Sequence, residues 1–142
     1  MNYMSKQLES IFQISRTFSI MSRRFDAGLG GISLNECIIL SSLLQAPENK
    51  MRRIDLAEKI GFTPSGITRL LLPMEKIGLV LREKNENDAR VSYVILAPGW
   101  KQKVLEAIER AEYIISDLLP GYTVTKANDI VKILQEITQW LK

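Results

Sequence analysis

Histidine is absent from this chain of 142 residues, and cysteine occurs once, as Cys37. The first absence removes the commonest general base, the commonest zinc ligand and the side chain that titrates near neutrality. Together the two exclude a Ser-His-Asp or Cys-His catalytic constellation. A metal site would have to be built from carboxylates alone, and no clustered Asp/Glu pattern offers one. No metal, cofactor or enzymatic activity is therefore expected. A single cysteine also excludes an intrachain disulfide and fits a reducing compartment. No apolar run approaches the ~18–20 residues of a membrane span. The opening MNYMSKQLES is too polar for a signal peptide. The expected location is the cytoplasm, with no membrane partner, and the function class left open is binding.

What is present is ordinary in bulk and uneven in distribution. Apolar residues make up 46% and charged residues 25% of the chain, which fits one globular domain with a real core. The net charge is +3, and all of it lies in one segment. Residues 1–49 carry four Lys/Arg and four Asp/Glu, and residues 91–142 carry six of each. Residues 50–90 carry nine Lys/Arg against six Asp/Glu. Local positive charge supplies the sequence-independent part of nucleic-acid affinity.

Periodicity gives the element order. Met4, Leu8, Ile11, Ser15, Phe18, Ser22 and Phe25 form one helical seam, with Phe12, Ile14 and Met21 apolar outside it. So wide an apolar surface needs several partners, from this chain or a second one. Gly28, Gly30 and Gly31 stop that helix. Ser33 is the expected N-cap of the next, with Glu36 completing a capping box and Cys37, Leu40, Leu43 and Leu44 facing inward. A short helix over Arg53–Ile60 ends at Gly61. Thr63 as N-cap and Pro64 at the first helical position open a further helix. Ile67, Leu70, Leu71, Met74 and Ile77 are its expected buried stripe, Pro73 is expected to kink it, and Gly78 ends it. Leu79–Lys84 and Val91–Leu96 have strand composition around the polar loop Asn85–Arg90. Long helices are expected over Trp100–Leu119 and from the Thr123 N-cap to about Leu141, separated by Pro120-Gly121.

The most informative stretch is Phe62–Leu96. Its helix presents Ser65, Gly66, Thr68 and Arg69 on the face opposite the apolar stripe. Its hairpin carries Asp88-Ala89-Arg90 at the tip. A helix able to enter a major groove, beside a basic hairpin able to reach a minor groove, is a DNA-reading arrangement.

The same residues resemble the MarR family of bacterial winged helix-turn-helix regulators. The resemblance rests on Asp55-Leu56-Ala57, on Ser65-Gly66-Ile67-Thr68-Arg69, on Glu75-Lys76-Ile77-Gly78-Leu79-Val80, and on Asp88-Ala89-Arg90 followed by Leu96, in that order. It implies a mainly α fold with a small β-hairpin wing, in one domain over 1–142. Residues 32–99 would be the winged helix-turn-helix, and 1–31 with 100–142 the helical dimerisation region. It further implies a homodimer on a pseudo-palindromic DNA duplex, acting as a repressor that a small-molecule effector releases. Carried over by position, Ser65, Thr68 and Arg69 face the major groove, Arg90 enters the minor groove, and Asp88 orients Arg90. Thr63, Pro64 and Gly66 at the helix front, with Lys84 and Asn87 on the wing, complete the candidate set. Two departures stand out. Ala97-Pro98 follow Leu96 where the family often has a capping Thr, so Pro98 is expected to start the next helix. Arg52-Arg53 replace a polar residue such as Thr before Asp-Leu-Ala, which makes Arg52 a candidate phosphate contact.

Competing readings attach to several of these positions. Arg69 and Arg90 could be plain surface arginines, and Asp88 could serve only its turn. Leu72, Pro73 and Met74 are expected to serve packing rather than readout. Cys37 lies in an apolar pattern with no resolving cysteine, so a buried structural thiol is preferred over a redox sensor. Trp100, Tyr113, Phe12 and Phe18 are expected in the core rather than around an effector. Outside the regulator class, the alternative is a winged-helix protein-interaction module without DNA binding.

Overall fold

The computed structural model describes residues 3–142 of the chain. Six α-helices and three short strands occur in it: α1 (Lys6–Gly28), α2 (Leu34–Gln45), β1 (Lys50–Arg52), α3 (Arg53–Ile60), α4 (Pro64–Lys76), β2 (Val80–Lys84), β3 (Ser92–Leu96), α5 (Lys101–Leu118) and α6 (Val124–Trp140). The chain forms two compact units, residues 1–111 and 112–142.

Local chemistry sets the boundaries. Ser33 Oγ accepts from the Glu36 amide at 3.1 Å while Glu36 Oε1 accepts from the Ser33 amide at 3.0 Å, a reciprocal capping box. Thr63 Oγ1 accepts from the Gly66 amide at 3.0 Å, with Pro64 at the first helical position. Gly61 and Gly78 take φ of +79° and +80°, the left-handed conformation that closes α3 and the turn after α4. Ser5, which the sequence reading passed over, caps α1 by accepting from Leu8. α4 runs through Pro73 to Lys76 without a break. Pro98 opens a 3₁₀ turn to Trp100, and α5 proper begins only at Lys101.

The sheet has three antiparallel strands in the order β1-β3-β2, not two. Met51 faces Val94 across one side of β3, and Val80 faces Leu96 across the other. β1 escaped sequence reading because Lys50-Met51-Arg52 shows no apolar alternation. Its position is held by pairing with β3 and by Lys50. The Lys50 ammonium lies 5.1 Å from the Tyr93 ring centre and reaches Glu48 and Glu83 at 3.4 and 3.5 Å. Glu48 and Asn49, entering β1, both take positive φ, a conformation that side chains with a Cβ adopt rarely.

The core lies in the first unit. Ile39, Leu40 and Leu43 of α2, Leu56 and Ala57 of α3, and Ile67, Leu71 and Met74 of α4 are buried, with Val80, Val94, Leu96, Val104 and Ala107. Ile77, expected to end the buried stripe, is exposed because α4 stops at Lys76 and the chain turns away. Leu72 is exposed too, on the side of α4 away from the core. Along α1 only Phe25 is buried, and along α6 nothing is. Phe12, Phe18 and Tyr113 are therefore exposed in the single chain, contrary to the expectation that they belong to its core. No helix among the described residues is long and apolar enough to cross a membrane.

Loss of the reciprocal cap should be measurable. Ser33→Ala is expected to lower stability by about 1 kcal/mol, read as a lower urea midpoint at fixed protein concentration with an unchanged m-value. An unchanged midpoint would show that the cap contributes nothing.

Candidate nucleic-acid interface

The front of α4 is built from its cap. Thr63 holds the Gly66 amide and stands 3.3 Å from the Ser65 hydroxyl. Gly66 is half-buried, and a Cβ there would crowd the capping Thr63 Oγ1, so glycine leaves the cap room. Thr68 Oγ1 donates to the Pro64 carbonyl at 2.9 Å, leaving its lone pairs to accept. Ser65 and Arg69 are exposed, and among the described residues Arg69 has no ion-pair partner. This face combines an unpaired guanidinium with two hydroxyls, groups able to bond base edges and phosphates.

The wing tip is organised by side chains. Asn85 Oδ1 accepts from the amides of Asn87 and Asp88 at 2.8 and 3.2 Å. Backbone bonds from Asn85 to Val91 and from Val91 to Asp88 close the loop. Asp88 then takes Arg90 in a fork: Arg90 Nε donates to Oδ1 at 3.1 Å, Nη2 donates to Oδ2 at 3.2 Å, and the Arg90 amide also donates to Oδ1 at 3.0 Å. The Arg90 side chain is 91% exposed, so the fork orients it without burying it. These bonds, with Arg52 nearby, hold the Asp88 carboxyl below the usual aspartate range. Asn85 is the organiser that the sequence reading missed. An Asn two residues before another turn former was its signal.

Between wing and helix lies a cavity of about 190 Å³ lined by Arg52, Arg53, Pro64, Ile67, Arg90 and Ser92, among others. It brings Arg52 and Arg90 together with the front of α4. Ser65, Thr68 and Arg69 do not line it, and neither do Lys84 and Asn87, which are exposed elsewhere on the wing. Arg53, which the sequence reading did not single out, is half-buried here. Cys37 is buried in α2, and burial raises its thiol pKa, as expected of a structural cysteine. No group of His, Cys, Asp and Glu among the described residues could hold a metal ion.

Residues 32–92 match the family model of the MarR family. Over that segment the chain is similar to the MarR family. The match spans α2 to the start of β3, including both candidate reading elements. Beyond it, the chain is 22% identical over 133 residues to the HTH-type transcriptional regulator YdgJ of Bacillus subtilis strain 168, covering 94% of this chain and 79% of that protein. It is 25% identical over 132 residues to the HTH-type transcriptional repressor YetL of the same strain, covering 93% and 78%. Among solved structures, the fold is similar to Sco3205, a MarR family transcriptional regulator from Streptomyces coelicolor in complex with DNA. The TM-score there is 0.85 at 16% identity, covering all of this chain and 92% of that one.

The Asp88 fork has a sign that can be checked. A depressed carboxylate pKa means that the pairing is complete above the ordinary aspartate value and is lost as pH falls through the lowered one. Followed by carbon NMR, the Asp88 carboxyl should titrate below the ~3.9 of a free aspartate, and Arg90→Gln should return it towards that value. Equal midpoints in the two proteins would contradict the pairing.

Proposed function

We propose that this chain is a sequence-specific DNA-binding transcriptional regulator that works as a homodimer in the cytoplasm, represses its targets, and is released by a small-molecule effector. One observation carries the DNA reading. A single winged unit presents an exposed Arg69 beside two hydroxyls on α4 and an Asp88-oriented Arg90 at the wing tip. The +3 excess of the chain lies in the same segment. In this reading α4 enters the major groove through Ser65, Thr68 and Arg69, with Thr63, Pro64 and Gly66 at its front against a phosphate. Arg90 enters the adjacent minor groove, where narrowness strengthens the negative potential. Lys84, Asn87 and Arg52 face the backbone.

Dimerisation is supported by what stays uncovered. Leu8, Ile11, Phe12, Ile14 and Phe18 of α1 are exposed, as are Ile130, Val131, Ile133 and Leu134 of α6. Apolar faces of this extent suit an interface between identical chains. A two-fold pair would set its recognition helices ~34–36 Å apart, one helical turn of DNA. An effector acts on that spacing only to the extent that it binds one arrangement more tightly than the other. We assign its seat to the cavity of about 290 Å³ near the Gly30-Gly31 turn, where Leu29, Leu79 and Trp100, the last expected in the core, supply apolar walls and Lys103, Glu106 and Arg110 a rim of mixed charge.

Binding to genomic DNA fragments at physiological salt tests the reading. Wild type should prefer a subset of fragments over random duplex. Arg90→Ala should weaken specific binding by ~1–3 kcal/mol, about ten- to a hundredfold, with the oligomeric state unchanged by light scattering. Arg69→Ala should in addition relax sequence preference. Absence of any preference in wild type would end the regulator reading, and a monomer would end the spacing mechanism.

A further inference from the structure

Among the described residues, Arg53 is the side chain whose buried polar atoms lack a partner. Its Nε and Nη2 are buried and have no hydrogen-bond partner. Its surroundings are poor in negative charge. Burial is the main cause that pushes the guanidinium below its ordinary pKa, and Arg82 close by adds to it. Glu75, the nearby acid, acts the other way but is engaged with Arg82 at 3.8 Å. Buried charged donors without partners are rare, because each forgoes its hydration for nothing.

Arg53 also lines the cavity between the two candidate readers, with Arg52 and Arg90 on the same wall and Ser92 beside them. Among the ionisable groups lining that cavity there is no acid. Asp88 lies outside it, forked to Arg90. Three arginines around about 190 Å³ make a space shaped for an anion of modest size.

The geometry of a duplex names that anion. A major groove and the adjacent minor groove are separated by one sugar-phosphate strand. If α4 occupies the first and Arg90 the second, that strand crosses the surface between them, and this cavity lies there. We propose that the cavity is a seat for a single backbone phosphate of the straddled strand, and that Arg53 is the residue whose missing partner the phosphate supplies. The proposal rests on the DNA-binding reading above and adds to it a residue and a position. It also gives a reason for Arg-Arg at the entry to α3. Arg52 meets the strand from the exposed side, and Arg53 meets it from below. A planar guanidinium suits this role because it is weakly hydrated and can offer two parallel N–H bonds to phosphate oxygens.

The test is the salt dependence of binding to a preferred duplex, measured for wild type, Arg53→Met, Arg53→Lys and Arg82→Gln, with a thermal melt of each without DNA. Arg53→Met keeps the apolar stem and removes the charge. It should melt at or above the wild-type temperature, because the free protein loses an unpaired buried charge. Its plot of log affinity against log salt should be shallower than that of wild type by about 0.9, the loss of one phosphate contact. Arg53→Lys should restore the slope. Arg82→Gln, which removes a cation outside the cavity, should leave it unchanged.

An unchanged slope in Arg53→Met overturns the phosphate seat while leaving the DNA-binding reading intact. So does an equal flattening in Arg82→Gln, which would report a general field. If Arg53→Met melts well below wild type and Arg53→Lys does not restore the salt slope, Arg53 is a structural cation and the seat is wrong. If wild type binds no duplex preferentially, the reading and the seat fall together.

Discussion

Everything proposed for this chain depends on one buried stripe. Ile67, Leu71 and Met74 on the inner side of α4 are fully buried, among Leu56, Val80, Val94 and Leu96 from the packed elements of the same unit. Burial of large aliphatic side chains contributes ~1.5–3 kcal/mol each, and a close-packed core does not tolerate gradual deformation. The stripe therefore does two things at once. It turns Ser65, Thr68 and Arg69 outward, and it fixes α4 against the sheet whose far end carries Arg90. In the proposed reading, helix and wing meet DNA as one packed pair, so little ordering remains to be done at the moment of binding.

Charge is arranged around that rigid pair with similar economy. The wing arginine is oriented by a carboxylate that leaves it exposed, while two buried N–H groups of Arg53 have no hydrogen-bond partner. The first arrangement fixes direction, and the second stores an unmet demand for an anion. With no histidine in the chain, none of this machinery includes the side chain that ordinarily titrates near neutrality. The positive surface is thus constant over the range in which a regulator of this kind would work. In the proposed reading, salt, an effector and the duplex are left as the variables that change occupancy.

Much of the fold was legible because its boundaries are written in local chemistry. Ser33 with Glu36, Thr63 with Pro64, Gly61, Gly78 and Thr123 each satisfy or terminate a helix end within a few residues, and the sequence positions alone located all of them. What was not legible depends on distant partners. β1 has no periodicity of its own and exists because β3 offers it an edge and Tyr93 offers Lys50 a ring. Ile77 continued the apolar pattern of α4 but falls outside the helix that would have buried it. The wide apolar faces of α1 and α6 were visible in the sequence, yet only the fold shows how little of them the chain itself covers. In the candidate interface, Ser65, Arg69 and Arg90 stand out as candidates from the motif alone. Arg53 does not, because being orphaned is a property of the space around a side chain and leaves no mark in the order of residues.

The account's central claim is that two such rigid pairs sit on one duplex at a distance set by the dimer. Hydroxyl-radical footprinting of a genomic fragment selected by the protein measures this directly. The account predicts two protected half-sites related by a dyad, with their centres about one helical turn apart, and additional minor-groove protection beside each half-site that disappears in Arg90→Ala. A single protected site without symmetry, or two half-sites at a spacing out of phase with the helical repeat, would contradict it.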